Sequence, residues 1–320
     1  MRSVLLSLAL AVLAGAALTA FLAQRNARAA EAAHPPSGSF VEVDGARVHY
    51  VRAGSGPELV LIHGASGNLR DFTFDLMGRL TERYTVTAFD RPGLGYSDRV
   101  PGAGGAESPL EQARHLKRAA AALGIERPIV LGHSFGGVVA LGWAVDDLDA
   151  PSPASARALV SLAGVAMPWP GSLAAYYRVN GSALGAVTVP LISAYAPESR
   201  VADAVERTFR PQPAPEGYAK HLGVDLVLRP GAFRANVQQV NTLRPHVVEM
   251  SRRYPELSLP VEIVHGDADE TVPIDVHARP FSRLVASARL TELPGVGHMP
   301  HHVRPEEAVA AIDRAAARAK

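Results

Sequence analysis

The middle of the chain alternates between short apolar runs and longer stretches with the spacing of amphipathic helices. Four continuous apolar runs end in turn residues and predict strands buried on both faces, at 58–63, 84–89, 128–131 and 158–163. Apolar residues recur at helical spacing over 71–83, 110–123 and 138–148. Strands that alternate with helices predict an α/β fold, with a mostly parallel sheet covered by helices on both faces.

A long stretch in the second half interrupts this alternation. From 169 to 253 the pattern is helical, with several prolines and no convincing strand. Strand signals return at 261–265 and 289–293, and an Ala-rich helix at 306–317 closes the chain. An all-helical stretch inside an alternating α/β chain predicts a cap inserted into the core.

The first thirty-six residues form a segment of their own. Residues 3–23 are apolar and uncharged, and about 20 such residues are enough to cross a bilayer. That length favours a membrane anchor over an export signal, although Ala27-Arg28-Ala29 has the form of a cleavage site. Arginines on both sides leave the orientation undecided. Pro35-Pro36 then predicts a linker to a β-hairpin at 40–53.

These patterns divide the chain into three parts. We expect an anchor or signal segment with its linker at 1–36, and an α/β core made of 37–168 and 254–320. The helical cap with its return helix occupies 169–253. The length of 320 residues allows about two domains, and the pattern makes the second an insertion in the first.

Charge and cysteine content narrow the function classes. The net charge is +1, and Arg2, Arg25, Arg28 and Glu31 give the first thirty-six residues +2, so the remainder sums to −1. A body this close to neutral has no basic footprint, and we expect no nucleic-acid partner. The absence of cysteine excludes disulfides, thiolate metal sites and a cysteine nucleophile.

A Gly-x-Ser-x-Gly sequence, Gly132-His133-Ser134-Phe135-Gly136, lies between a predicted buried strand and a predicted helix. A nucleophile on such a tight turn needs strained backbone angles and neighbours without bulk at minus two and plus two. Gly132 and Gly136 meet that need. The turn would expose Ser134 above the sheet, at the positive end of the following helix.

A serine nucleophile needs a base, and the base needs an orienting acid. Asp267 and Asp269 follow the strand predicted at 261–265, and His298 follows the one near 289–293. Serine, acid and histidine in this order, each after a strand end, is the order of the α/β-hydrolase fold. All three would meet at the carboxyl edge of the sheet, where open α/β folds bind ligands.

With these motifs in register from about residue 40 to 316, the chain resembles the serine-nucleophile, cap-bearing branch of the α/β-hydrolases. The resemblance implies that the acid is Asp269, three residues after the glycine, and that the base is His298, directly after Gly297. It also implies an oxyanion hole made by the backbone N–H groups of Phe135 and Ala65, the latter from the His63-Gly64-Ala65 pattern.

Two further histidines, His301 and His302, follow the proposed base. A solvent-exposed loop explains them adequately. His298 and His302 have the i,i+4 spacing of a zinc pair, but no Glu follows His298 and Pro300 opposes a helix there. We therefore expect neither a metal nor a cofactor.

These residues predict a hydrolase that acts by two-step acyl transfer through an acyl-enzyme on Ser134. The substrate class is a small, fairly apolar carboxylic ester. Carbon–carbon bond hydrolase, lactonase and cofactor-free haloperoxidase activity remain open, and a non-catalytic, membrane-tethered binding protein is a further alternative. Aromatic residues of the cap would line an acyl pocket or form the cap's own core: Trp169, Tyr176, Tyr177, Tyr195, Phe209, Tyr218 and Phe233.

Overall fold

Eight strands among residues 2–319, which the structure describes, form a single sheet. They are β1 (Ser39–Val43), β2 (Ala46–Ala53), β3 (Glu58–Ile62), β4 (Thr85–Phe89), β5 (Ile129–His133), β6 (Ala158–Leu162), β7 (Val261–Gly266) and β8 (Ala288–Leu293). In this computed structural model the strand order is β1-β2-β4-β3-β5-β6-β7-β8. Strand β2 pairs antiparallel with β1 and β4, and the other pairs are parallel. The mostly parallel sheet predicted from the sequence is confirmed.

Fifteen α-helices accompany the sheet within the same residues. Those of the first half are α1 (Arg2–Ala33), α2 (Arg70–Thr73), α3 (Leu76–Leu80), α4 (Pro109–Ala122) and α5 (Phe135–Asp149). Between β6 and β7 lie α6 (Ala175–Gly181), α7 (Gly185–Tyr195), α8 (Glu198–Phe209), α9 (Tyr218–Leu222), α10 (Val224–Val227), α11 (Pro230–Asn241) and α12 (Leu243–Ser251). The last three are α13 (Ala278–Leu284), α14 (Pro300–Val303) and α15 (Pro305–Arg318).

The central strands are apolar on both faces because helices cover both sides of the sheet. Leu59 and Leu61 of β3 point into a cluster with residues of α2, α3 and α15. Val60 and Ile62 point the other way, into a larger cluster with residues of α4 and α5. Because successive side chains of a strand point to opposite faces, each central strand contributes to two separate cores. Both sets of side chains are apolar, which makes the apolar runs continuous.

Two local predictions were wrong. The helix predicted at 71–83 is broken into α2 and α3, because Asp75 leaves the helical region with φ −148° and ψ −54°. Pro300 does not oppose a helix but begins α14. Proline is tolerated at the first helical position, because the N–H it lacks would have no intrahelical partner there.

The helices between β6 and β7 have two small apolar clusters of their own. Phe233 packs with Val189 and Val237, with Tyr177 at the edge of that cluster. A second cluster combines Phe209, Tyr218 and Leu222 with Met299 from the loop before α14. Tyr176 and Tyr195 stay exposed. Several of the aromatic residues therefore stabilise the insertion itself.

Helix α1 is apolar and exposed at its start and packed against the body at its end. Residues 2–18 are all exposed, and the helix is long and apolar enough to cross a membrane by length and composition. Its buried residues are Thr19, Ala23, Ala27 and Ala30. The Asn26 side chain donates to the carbonyl oxygens of Ser193 and Ala194, at the end of α7. The second half of α1 is thus built into the insertion.

Candidate active site

Ser134 lies on the sharp turn that joins β5 to α5. Its backbone has φ +53° and ψ −118°, a region that residues with a side chain rarely adopt. A Cβ at Gly132 would overlap the carbonyl oxygen of Gly136, and one at Gly136 would overlap that of Ile62. Only glycine fits on either side of the serine, which is the steric demand that the sequence motif predicts.

The structure brings Ser134, His298 and Asp269 together at the carboxyl edge of the sheet. The Ser134 Oγ lies 2.9 Å from His298 Nε2, and His298 Nδ1 lies 2.7 Å from Asp269 Oδ2. All three residues are buried. With an ionised aspartate, Nδ1–H donates to the carboxylate, which leaves Nε2 as the acceptor for the serine hydroxyl.

The Asp269 carboxylate is held by more groups than His298. Its Oδ1 accepts the N–H groups of Thr271 and Val272, at 2.8 and 2.9 Å. His265 Nε2 lies 3.3 Å from Oδ2. Burial raises the pKa of Asp269, but the charge of His298 and hydrogen bonds from His265 and His298 outweigh it and leave the pKa below its usual value. The carboxylate therefore stays ionised.

Asp267, the rival acid, lies outside this constellation. Its Oδ1 accepts the N–H of Gly295 at 2.6 Å, in the loop before His298. His265, by contrast, was missed by sequence reasoning. Its spacing of four from Asp269 is a weak signal, because many histidines lie four residues from a carboxylate without contacting it.

The peptide group between Gly64 and Ala65 is held firmly beside Ser134. His63 Nδ1 and the Arg91 guanidinium both donate to the Gly64 carbonyl oxygen, at 2.9 and 3.1 Å. In a planar trans peptide the N–H points opposite to the C=O, so these bonds also orient the Ala65 N–H. A Cβ on Gly64 would lie 3.0 Å from the Ser134 Cβ, which shows how closely the two segments approach.

The second candidate donor is the N–H of Phe135. Phe135 is the first residue of α5, where an N–H group has no intrahelical partner. Its ring is buried under the Arg91 guanidinium, 4.2 Å from the ring centroid. Burial lowers the pKa of Arg91 to about 9, so the group is still charged at neutral pH. Arg91, which the sequence analysis did not single out, thus contacts the peptide group between Gly64 and Ala65 and the ring of Phe135.

Asn236 of α11 connects the insertion to the same loop. Its Oδ1 accepts the N–H of Ser66 at 2.7 Å, and its Nδ2 donates to the Ser66 Oγ at 2.9 Å. Asn236 is fully buried, and Ser66 has a positive φ of 52°. The insertion therefore holds the residue after Ala65, a contact across 170 positions that nothing in the sequence pattern indicates.

A second polar cluster lies directly behind the triad. The Asp71 carboxylate accepts from His301 Nε2 (3.1 Å), His302 Nε2 (2.8 Å) and the Tyr218 hydroxyl (2.8 Å). His301 is fully buried and the His302 side chain nearly so. The expectation of a solvent-exposed loop is therefore wrong. The Nε2 atoms of both histidines point inward, because they hydrogen-bond to the buried Asp71 carboxylate.

This cluster also touches the triad. His133 Nε2 donates to the carbonyl oxygen of His298 at 3.0 Å, and its ring lies between those of His298 and His301. Burial and the neighbouring imidazoles hold the pKa of His133 well below its usual value. His133 is thus a neutral donor that fixes the backbone of the candidate base.

This second cluster also has the atom types that bind metals. Such atoms of Asp71, His301 and His302 lie within 4.8 Å of one another. The histidine Nδ1 atoms have no hydrogen-bond partner among the described residues, whereas a metal-bound imidazole normally donates from its other nitrogen. The Asp71 oxygens already accept three hydrogen bonds. The donor set therefore fits a hydrogen-bond network better than a metal site. The zinc pair considered from the sequence does not converge, because His298 and His302 bond different groups.

Comparison with known proteins places this chain in a family. The sequence profile of the Alpha/beta hydrolase family matches residues 59–312. Together with the sheet order and the turn at Ser134, this match shows that the chain belongs to that family and is a hydrolase.

Individual relatives extend the comparison. An uncharacterized protein of Mycobacterium tuberculosis is 30% identical over 304 residues, which cover 91% of this chain and 84% of that protein. An alpha/beta hydrolase fold protein from Burkholderia ambifaria has a TM-score of 0.70 at 25% identity, over 86% of this chain and 96% of that one. A membrane phospholipase A, described as a bacterial virulence factor, has a TM-score of 0.66 at 23% identity. That alignment covers 98% of this chain and 99% of the other, and it shows similarity of fold.

Proposed function

We propose that this hydrolase cleaves carboxylic esters of small, fairly apolar substrates, with Ser134 as nucleophile, His298 as general base and Asp269 as its orienting acid. The observation that carries the proposal is the unbroken hydrogen-bond chain from Ser134 Oγ through His298 to Asp269 Oδ2. Nucleophile, base and orienting acid within hydrogen-bond distance of one another are the signature of serine-based acyl transfer.

The geometry suggests the order of events. His298 Nε2 takes the proton of Ser134 as the oxygen attacks the substrate carbonyl, and the N–H groups of Ala65 and Phe135 stabilise the developing oxyanion. His298 then gives that proton to the leaving alcohol, and the acyl group stays on Ser134. In the second half His298 activates water, which releases the acid. The ionised Asp269 stabilises the imidazolium in both halves.

A covalent probe tests the nucleophile. We expect a fluorophosphonate to label the full chain, and the Ser134→Ala variant to lose the label. Ser66→Ala is the matched control. It removes another serine hydroxyl from the loop that contains Ala65 and should keep the label. Labelling that survives Ser134→Ala would overturn the proposal. A panel of short esters, lactones and carbon–carbon substrates on the unlabelled wild-type protein then separates the esterase from the alternatives on this fold.

We also propose that α1 remains attached as a membrane anchor. Cleavage after Ala27-Arg28-Ala29 would remove Thr19, Ala23 and Ala27, which the body buries, and the Asn26 contacts with α7. Fractionation and N-terminal sequencing test this, with the intact chain expected in the membrane fraction. A soluble chain that begins near Ala30 would contradict it.

A further inference from the structure

The outer side of helix α7 carries a row of exposed apolar residues. Leu184, just before the helix, is followed by Val187, Leu191 and Tyr195 at intervals of three and four, so they share one face of the helix. Their exposed fractions run from 43% to 64%. We call these four residues the outer stripe.

The opposite side of α7 is apolar as well. Val189 is buried with Phe233 and Val237 of α11, and Ile192 packs against the same cluster. No charged residue occurs between Arg178 and Glu198. A helix on the surface of a water-soluble body normally has a polar outer face, and one that is apolar all round is normally enclosed. The outer stripe is therefore expected to contact an apolar environment instead of water.

Helix α1 shows what that surrounding is. The Thr19 hydroxyl lies 3.3 Å from the Tyr195 hydroxyl, and Asn26 donates to the carbonyl oxygens of Ser193 and Ala194. Exposed residues 3–18, which are uncharged and mostly apolar, precede this contact. At 1.5 Å per residue they extend about 25 Å, close to the thickness of a bilayer core. The contact with Tyr195 therefore lies where α1 would leave the hydrocarbon.

The length of α7 decides how it meets the membrane. Its 11 residues are too few to span a bilayer, which takes about 20. A short apolar helix at this level lies along the interface, and a tyrosine there places its hydroxyl among the head groups. Exposed Arg25 and Arg28 belong to α1 and exposed Arg178 belongs to α6, and these side chains suit anionic head groups.

The interior of the insertion continues from α7 towards Ser134. Tyr177 of α6 packs at the edge of the cluster that holds Val189 and Phe233. The hydroxyl of the same tyrosine faces Ser66, next to the candidate oxyanion donor Ala65, and this contact opposes the rise that burial causes in the pKa of Tyr177. Apolar side chains thus extend from the inner side of α7 to the loop beside the nucleophile.

We propose that the outer stripe of α7 docks on the lipid bilayer beside the anchor, so that the enzyme takes long-chain esters from the membrane in addition to small soluble esters. The occupant of the stripe is the bilayer in which α1 is embedded. The substrate class rests on the proposed ester hydrolase function, whereas the docking of α7 does not.

The cysteine-free chain makes docking directly measurable. We expect an environment-sensitive fluorophore on Val187→Cys, in the full chain reconstituted in phosphatidylcholine–phosphatidylglycerol vesicles, to shift to the blue and to be quenched by spin-labelled acyl chains. The control is Glu126→Cys, which is exposed just before β5, at the edge of the sheet away from Ser134. Equal water exposure of the two labels would overturn the docking proposal.

Hydrolysis tests the substrate class. Val187→Ser with Leu191→Ser should lower hydrolysis of a long-chain ester in vesicles about tenfold, because apolar contact with the interface is lost. Hydrolysis of soluble p-nitrophenyl butyrate should change less than about twofold, since neither residue touches the triad. Leu148→Ser is the matched control. It removes an exposed leucine near the far end of α5 and should leave both activities unchanged.

The outcomes distinguish the two proposals. If the wild type cleaves neither ester, the proposed function fails, and the label on residue 187 still decides whether α7 docks. If the wild type cleaves the soluble ester and the stripe variant cleaves vesicle ester normally, the substrate proposal is wrong. If the Val187→Cys chains cross-link to each other in vesicles while lipid quenching is absent, the stripe contacts a second copy of the chain, and the docking proposal is overturned.

Discussion

At the scale of single residues, the candidate site depends on which ring nitrogens and carboxylate oxygens are already engaged. Asp269 Oδ1 accepts two backbone N–H groups, so only Oδ2 faces the base. That division holds the carboxylate in one orientation. Asp269 then orients the imidazole of His298, and His133 holds the His298 backbone. The Nε2 atom of that imidazole is within hydrogen-bond distance of the serine hydroxyl.

Replacing the acid tests this arrangement. Asp269→Asn keeps the shape but favours the wrong tautomer of His298, because an amide N–H would face Nδ1. We expect kcat for p-nitrophenyl esters to fall about 10³- to 10⁴-fold. Asp267→Asn is the matched control and should remain close to wild type, since the Asp267 carboxylate accepts from the Gly295 N–H and lies outside the hydrogen-bond chain of Ser134, His298 and Asp269. Equal losses in the two variants would show that the acid is wrongly assigned.

Asn236 tests the support of the oxyanion loop. Asn236→Leu removes the acceptor of the Ser66 N–H, a hydrogen bond that contributes about 0.5–1.5 kcal/mol of unfolding free energy. The displaced loop should also lower kcat about tenfold, because oxyanion donors act only in the right position. Asn236→Asp keeps the acceptor oxygen and should retain most of the activity. Wild-type kcat in Asn236→Leu would exclude a positioning role.

At the scale of elements, the turn from β5 into α5 is limited by backbone crowding. The Gly132 and Gly136 positions pack against main-chain atoms, and main chain in a sheet cannot move away as a flexible side chain does. Other glycines have open space around them. Gly231, near the start of α11, is one of these and has no atom within 4 Å of a built Cβ.

Replacing Gly136 and Gly231 by alanine should therefore have opposite effects on the unfolding free energy. We expect Gly136→Ala to lower the unfolding free energy by about 1–3 kcal/mol and to abolish esterase activity, because its Cβ would overlap the Ile62 carbonyl oxygen. Gly231→Ala should raise the unfolding free energy by up to about 1 kcal/mol, through helix propensity, and leave activity unchanged. Urea unfolding of the full chain in detergent measures both. A neutral Gly136→Ala would contradict the crowded turn.

At the scale of the whole molecule, buried neutral histidines couple the fold to pH. His63 Nε2 accepts the N–H of Arg91, and His277 Nδ1 accepts that of Met167. Protonation would break these bonds. Burial, the largest cause, lowers the pKa of each histidine to about 4. An unfolded chain titrates its histidines near 6.5.

Stability should therefore fall with acid from about pH 6.5 to pH 4. In that window the unfolded chain binds protons that the folded chain does not, so each histidine lowers the unfolding free energy by up to about 1.4 kcal/mol per pH unit. His277→Asn keeps an acceptor for the Met167 N–H but cannot titrate, and it should reduce the slope by about one proton. Urea unfolding at a series of pH values measures the slope. An unchanged slope would mean that His277 is not held neutral.

Much of this protein follows from short-range pattern. Apolar runs between turn residues predict the central strands, because a strand covered on both faces needs apolar residues on both. The glycines around Ser134 predict the turn because the motif itself contains them, although only the crowding at Gly132 comes from within the motif, whereas Gly136 is crowded by Ile62 of a neighbouring strand. The resemblance to the hydrolase family then singles out Asp269 and His298, and the structure places both within hydrogen-bond distance of the next member of the chain.

Other features depend on residues that lie far apart in the sequence. Asp71 meets His301 across 230 positions, and Asn236 meets Ser66 across 170. Neither pair has a local signal, and His301 and His302 therefore suggested an exposed loop. The break between α2 and α3 likewise escapes the helical spacing, because one change of backbone angle at Asp75 leaves the apolar pattern intact.

The sequence by itself thus determined the strand pattern, the strained serine turn and the apolar character of α1 and α7, because each depends on neighbours along the chain. Only the tertiary structure decided that the end of α1 packs on α7, that the outer stripe stays uncovered and that a buried aspartate turns two histidines inward. These features depend on which surfaces meet once the chain has folded, and a linear pattern does not carry the distances between its remote parts.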